Sequence, residues 1–394
     1  MPVSEKMKGF STRSSWIRKM FEEGARMKAE FGTDNVFDFS LGNPDVPPPA
    51  KFYEVIRELA EDKSPGVHAY MPNAGYPWVR QAIAAMMSVE QGITVQPGDT
   101  LMTCGAAGAL NILLKALLNP GDEVILLAPY FVEYDFYVDN HGGKSTVVKT
   151  DNWFNLDLAA IEKAITTKTK AIIINSPNNP TGQIYSQESI LALGNLLEEA
   201  GARLGTTIYI IADEPYRKIV FEGHSVPSIF KASPNSIVLS SYSKALSLPG
   251  ERIGYLAIHP DMADKALLLD AMTLATRILG FVNAPALMQR VVARLQEVSV
   301  DNSIYERRKE KFCALLQDAG YTFLTPKGAF YLFPQSPITD DVRFCRLLQE
   351  EKILAVPGVG FGLAGHFRLA FCTDEKIIEG SAAGFARAMQ KARS

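Results

Sequence analysis

The chain has 394 residues, 47 % of them hydrophobic, with 29 glycines and 23 prolines, an ordinary globular composition that excludes collagen-like, coiled-coil and predominantly disordered chains. Its 40 lysines and arginines against 43 acidic residues leave a formal charge of -3 without any basic run, so it carries no electrostatic footprint for nucleic acid. The length suits about two or three domains or one extended α/β unit.

The opening residues, MPVSEKMKGFSTRSSWIRKMFEEGARMKAEF, are charged throughout and lack the apolar stretch and cleavage site of a secretory signal. No uninterrupted apolar run of about 18 residues follows, so no membrane span is expected. Cys104, Cys313, Cys345 and Cys372 are widely spaced and form no CxxC pair, which suits a reducing compartment. A soluble, cytoplasmic protein is the expectation.

In chain order, the pattern predicts a helix over about Ser14 to Ala29, with Trp16, Ile17, Met20 and Phe21 as its apolar stripe. FSLGNPDVPPP then breaks regular structure. Its prolines stiffen the connection, and Gly42 permits a backbone path or ligand approach that a Cβ would obstruct. From about residue 51 to residue 290, EVILLAP, AIIINSP, TTIYIIAD and SIVLSS read as buried strands, because branched apolar residues run continuously in them. AGALNILLKALL and QESILALGNLLEEAGARL between them read as helices. That alternation predicts an α/β fold: a mostly parallel sheet covered by helices on both faces. The composition shifts near residue 290. NAPALMQRVVARLQEVSVDNSIYERRKEKFCALLQDAG reads as a long helical connection, followed by GAFYLFP, further helix, and HFRLAFC as a strand. The expected division is a large domain over 46–290 and a smaller α+β domain over 291–394, which residues 1–45 join.

In open α/β sheets the ligand crevice lies beyond the carboxyl ends of the strands. Four polar stretches, PYF, NSPNNP, DEPY and SYSK, stand at those ends. Lys244 follows an apolar strand. It is either a surface lysine or, if buried, an amine that can form an imine with a carbonyl cofactor and later move a proton. Ser241, Ser243 and Arg252 offer hydroxyls and a guanidinium suited to a phosphate. Gly105 and Ala106 open a predicted helix, whose free N–H groups suit the same anion unless the glycine only supports a turn. Neither GxGxxG nor a P-loop is present.

Asp213 leaves an apolar strand, where it could cap a helix, pair with a basic group, or keep a heteroaromatic nitrogen protonated. Tyr216 and Asn179 could hydrogen-bond a ring phenolate oxygen. Phe131 could cover a ring face or serve core packing. Arg368, flanked by apolar strand residues, could join a structural ion pair or clamp a carboxylate.

Taken together, YMPNAG, TCGAAGAL, PNNPTG, ADEPY, SYSKALSLPGERIGY and HFRLAF resemble, in order and across about 330 residues, the pyridoxal-phosphate-dependent aminotransferases of fold type I, class I/II. The resemblance implies a seven-stranded, mostly parallel sheet and pyridoxal 5'-phosphate as cofactor. It implies that Lys244 forms the internal aldimine, that Asp213 faces the pyridine nitrogen, and that Asn179 and Tyr216 bind the ring oxygen. Ser241, Ser243, Arg252 and the amides of Gly105 and Ala106 would hold the phosphate. Phe131 would stack on the ring, Arg368 would bind the substrate α-carboxylate, and Gly42 would approach substrate. It further implies a homodimer with shared active sites, in which Tyr70 reaches the neighbouring subunit's phosphate, and a small domain that includes residues 1 to about 45.

Phe131 stands where the aspartate-type pattern often has Trp or Tyr. ATRILGFVN replaces a more polar stretch, leaving Arg277 to reach a distal carboxylate or to face solvent. The expected reaction is transfer of an amino group between an L-amino acid and a 2-oxo acid. A β-lyase or a cyclopropane-forming synthase is the alternative enzyme on the same fold, and a non-catalytic ligand sensor is a remote one.

Overall fold

The computed structural model describes residues 2–12 and 16–393. After a first helix, Glu5–Thr12, the expected helix runs over Trp16–Phe31, so it continues two residues beyond the expected Ala29; Ser14 and the side chains of Ile17 and Phe21 lie outside the described residues. Met20 on this helix is buried against Phe333, Val356 and Phe361, with Trp16 packed on the same cluster. A two-residue strand follows, β1 (Phe37–Asp38).

Seven strands form the main sheet: β2 (Thr100–Thr103), β3 (Glu123–Ala128), β4 (Lys144–Lys149), β5 (Thr169–Asn175), β6 (Tyr209–Asp213), β7 (Ser236–Ser241) and β8 (Gly254–Ile258). Their spatial order is β2-β8-β7-β6-β5-β3-β4, and β8 alone runs antiparallel to the other six. The expected α/β class and mostly parallel seven-stranded sheet are thus observed.

Alternate side chains of the central strands enter two different cores, as strand geometry requires. Ile172, Ile174, Ile210 and Val238 join one cluster, and Ile173, Ile211, Ile237 and Leu239 the other. Burial on both faces is why these strands read as unbroken apolar runs. β4 at the sheet edge has lysines at both ends and only Val148 buried, so it carries no such run.

The expected long helical connection is instead two helices, Ala286–Val292 and Asn302–Asp318. One tertiary contact and one helix cap account for the break. The Val300 N–H donates to the Ala245 carbonyl, which ties the intervening chain to the main sheet's edge of the cavity. Asp301 then caps the second helix by accepting from the Ser303 N–H.

A three-stranded antiparallel sheet follows, built from β9 (Tyr331–Leu332), β11 (Val356–Pro357) and β12 (Phe367–Ala370) in the order β11-β12-β9. β10 (Ile353–Leu354) pairs in parallel with β1, which brings the amino-terminal segment to the carboxy-terminal third of the chain. Phe39, Phe312, Phe330, Phe344, Phe367 and Phe385 fill the core on this side. Among the described residues no helix is long and apolar enough to cross a membrane.

Candidate active site

β5, β6 and β7 end side by side, and their last residues, Asn175, Asp213 and Ser241, open onto a cavity of about 430 Å³. The opposite wall comes from Gly42, Tyr331 and Arg368, so the cavity lies where the main sheet's carboxyl edge meets the small sheet and the strap around residue 42.

Asp213 ends a fully apolar strand, and its carboxylate is consequently buried. The Tyr134 hydroxyl donates to its Oδ2 at 2.5 Å, while Oδ1 is buried with no hydrogen-bond partner. Burial pushes the carboxyl up to about 6, against the opposing effect of the Tyr134 hydrogen bond. Asn175 holds the neighbouring backbone: its Nδ2 donates to the Asp213 carbonyl at 2.8 Å, and its Oδ1 accepts from the Asn179 N–H at 2.7 Å.

Lys244 sits on the single helical turn Tyr242–Ala245 directly after β7. Its Nζ donates to the Gly42 carbonyl at 2.7 Å and lies 5.4 Å from the Phe330 ring centroid. Burial lowers its pKa to about 8. Arg368 and Arg252 act in the same direction, with Cys372 opposing them. A lysine in this state is neutral far more readily than a surface one.

Near Lys244, the Ser241 and Ser243 hydroxyls are 2.6 Å apart, and the Ser243 N–H donates to Ser241 Oγ at 3.1 Å. Arg252 adopts the left-handed conformation with φ 51° and anchors Nη1 on the Pro249 carbonyl at 2.8 Å. Gly105 begins the helix Gly105–Leu117 with φ +74°, and a Cβ there would stand 2.9 Å from Arg252 Nη2. Glycine therefore serves both the turn and the close approach of the guanidinium to the helix's first N–H groups.

Arg368 is 1 % exposed. Its Nη1 donates to Asn179 Oδ1 at 3.1 Å and its Nη2 to the Ser40 carbonyl at 2.5 Å, and its Nε has no partner. The guanidinium lies between the rings of Tyr331 and Phe361, 4.7 and 4.8 Å from their centroids. Burial pulls its pKa below the ordinary arginine value. Phe131 meets Tyr134 edge to face, with centroids 5.7 Å apart.

Of the residues singled out in the sequence, Gly42, Ala106, Phe131, Asn179, Asp213 and Tyr216 line this one cavity. Ser241, Ser243, Lys244, Arg252 and Arg368 do so as well. Three do not line it: Gly105 lies just behind the lining, against Arg252, Tyr70 is 89 % exposed, and Arg277 faces solvent near the end of the helix Lys265–Ile278. The sequence reading did not single out Tyr134, Asn175 or Tyr331. Asn175 was within reach, since it begins NSPNNP at a strand end, whereas the two tyrosines act through Asp213 and Tyr216 across long separations.

Residues 34–382 match the family described as aminotransferase class I and II. The chain is 33 % identical to the aspartate/prephenate aminotransferase of Thermus thermophilus over 398 residues, covering 98 % of this chain and all of that one (100 %). An amino transferase from Eubacterium rectale superposes with a TM-score of 0.96 at 39 % identity, covering 100 % of both chains. The Thermus thermophilus aspartate aminotransferase solved with maleate gives 0.86 at 29 % identity, covering 98 % of this chain and 100 % of that one. The fold is that of the fold type I, pyridoxal-phosphate-dependent enzymes. The chain belongs to the class I and II aminotransferases.

Proposed function

We propose that this chain binds pyridoxal 5'-phosphate in the described cavity and transfers an amino group between an L-amino acid and a 2-oxo acid. One observation carries the reading: the buried, unpartnered Asp213 Oδ1 shares a cavity with a desolvated Lys244. An orphaned buried carboxylate oxygen needs a donor, and the protonated pyridine nitrogen of this cofactor is one. The bound cofactor supplies a sink for negative charge developing at the amino-acid Cα.

The chain's own groups then divide the work. Lys244 would hold the cofactor through its amine and would carry a proton to and from the substrate Cα. Asp213 keeps the ring nitrogen protonated, and Tyr134 holds Asp213 in place. Asn179 and Tyr216 hydrogen-bond the ring oxygen, and Phe131 covers the ring face. Ser241, Ser243, Arg252 and the amides of Gly105 and Ala106 hold the phosphate. Arg368 receives the substrate α-carboxylate, with its free Nε and flanking rings supporting that role, and Gly42 brings its strap up to the wall of the same cavity.

Arg368→Lys keeps the charge but loses the planar fork, so apparent binding of every α-amino acid should weaken by about tenfold or more. KM across neutral and acidic donors checks this. Weakening confined to acidic donors would instead place Arg368 at the side-chain end of the substrate.

We further propose a homodimer with shared sites. Leu267, Leu274 and Ile278 are exposed on the helix Lys265–Ile278. The Tyr70 segment is tied beside that helix's end by Asn73 Nδ2 donating to the Val282 carbonyl and by Asn283 Nδ2 donating to Met71 and Pro72 carbonyls. An apolar surface next to an exposed tyrosine suits a second copy that takes Tyr70 to its own cofactor phosphate. Mixing a Lys244→Ala chain with an inactive Tyr70 variant should then restore activity, because one site of the heterodimer carries neither lesion. A verified heterodimer that stays inactive would contradict sharing. Residues 1–45 and 291–394 form the smaller domain in this reading, 46–290 the larger one, and the enzyme is cytoplasmic.

The reaction is tested with a panel of amino donors against 2-oxoglutarate and pyruvate. The names of the aspartate and aspartate/prephenate relatives make aspartate the first donor to try. Turnover that requires the acceptor supports transamination. Release of pyruvate and ammonia from one donor alone would establish a β-lyase.

A further inference from the structure

Tyr331 and Tyr216 are both buried, and their hydroxyl oxygens are 2.8 Å apart. Among the described residues neither hydroxyl has another hydrogen-bond partner, and both side chains line the cavity. A pair of phenols holds two protons but shares only one hydrogen bond, so the second proton must point elsewhere. Which phenol donates therefore decides what the cavity sees at Tyr216: a proton or a pair of lone pairs.

We propose that Tyr331 is a positioning residue, whose hydroxyl donates to the Tyr216 hydroxyl and thereby turns the Tyr216 proton toward the oxygen substituent of the cofactor ring. The inference rests on the reading above in which Tyr216 binds that oxygen.

Three observations carry it. First, the Arg368 guanidinium lies over the Tyr331 ring, 4.7 Å from its centroid, and withdraws charge from that phenol. Burial raises both phenols and Arg368 opposes it in both, but only at Tyr331 is Arg368 the largest influence after burial. The phenol whose ring carries the cation is the better donor. Second, a Cβ at residue 42 would fall 1.9 Å from the Tyr331 hydroxyl oxygen. The missing side chain of Gly42 is the space this hydroxyl occupies, so the strap holds it against Tyr216. Third, the Gly42 carbonyl accepts from Lys244 Nζ at 2.7 Å, so the strap that seats Tyr331 also seats Lys244. The titratable and charged groups facing Tyr331 are Tyr216, Arg368 and Cys372, with Tyr305 beyond Phe330 and Asp213 acting on Tyr216.

A hydrogen bond donated to the ring oxygen favours its negative charge, and a donor that is itself accepting a hydrogen bond donates more strongly. The test is a spectrophotometric pH titration of the cofactor-loaded wild type, Tyr331→Phe, Tyr216→Phe and the double variant. Tyr331→Phe should raise the pH at which the bound cofactor loses its proton by about 0.5 unit. Tyr216→Phe should raise it further, and the double variant should match Tyr216→Phe alone. The phenylalanine ring still stacks on Arg368, so KM for the amino donor should stay within about twofold. Gly42→Ala, which displaces the hydroxyl without deleting it, should shift the titration in the same direction, and not further when Tyr331 is already Phe.

Additive shifts in the double variant would overturn the relay. A shift with Tyr216→Phe and none with Tyr331→Phe or Gly42→Ala would overturn it while sparing the role of Tyr216. Silence in every variant would overturn both.

Discussion

Lys244→Ala is expected to lower transamination by about 10⁴-fold or more while the protein still takes up pyridoxal phosphate. The variant loses both the amine that attaches the cofactor and the group that moves the Cα proton, and a positioned acid–base group alone contributes up to about 10⁴-fold. Cofactor binding should survive in part, because Ser241, Ser243, Arg252 and Asp213 keep their own supports in the structure. Cofactor absorbance after gel filtration, read beside turnover, checks both halves. In the wild type, loading of cofactor-free protein should accelerate as pH rises through about 8, because burial brings Lys244 to that value and only the neutral amine attacks the aldehyde. Activity within tenfold of wild type in the alanine variant would place the chemistry on another residue.

Asp213→Asn is the second large effect, an expected loss of about 10²–10³-fold in the proton-transfer step, the scale for removing one preorganised charge at a reacting centre. The fold should be retained, since asparagine fills the same volume and its oxygen can still accept from Tyr134. Cofactor-free protein gives an independent sign. Burial raises the folded carboxyl to about 6 from an ordinary 3.8, so the folded state holds a proton that the unfolded state has already released. The wild type should therefore lose stability as pH rises from about 4 to 6, and the asparagine variant should lack that part of the slope. Urea unfolding at the two ends of the window measures it. Unchanged single-turnover kinetics in a folded, loaded Asp213→Asn protein would contradict the catalytic assignment.

How much of this was legible in the sequence follows from where each signal resides. β3, β5, β6 and β7 were visible because both faces of each are buried, which leaves no polar residue to interrupt the run. β2 is four residues long, and β4 is an edge strand with most of its side chains partly or fully exposed, so neither carries that signature. The break between the helices Ala286–Val292 and Asn302–Asp318 depends on Val300 bonding to Ala245, a tertiary contact that no local periodicity records. Within the cavity, Asp213 and Lys244 could be singled out because each is a charged group at the end of an apolar strand. Tyr134 and Tyr331 could not, because their partners stand 79 and 115 residues away in sequence. Gly42 in the sequence marks a place of close backbone approach, but the nearest atom to its absent Cβ is the Tyr331 hydroxyl of the same chain.

The central claim is that Lys244 carries the cofactor in the cavity that Asp213 and Arg368 share. It is tested most directly by reducing the pyridoxal-phosphate-loaded protein with borohydride and mapping its peptides by mass. The expected result is one pyridoxyl group per chain, on the peptide containing SYSKALSLPGER and at Lys244 within it. A stable label on any other lysine, or no label on protein that binds the cofactor, would contradict the account.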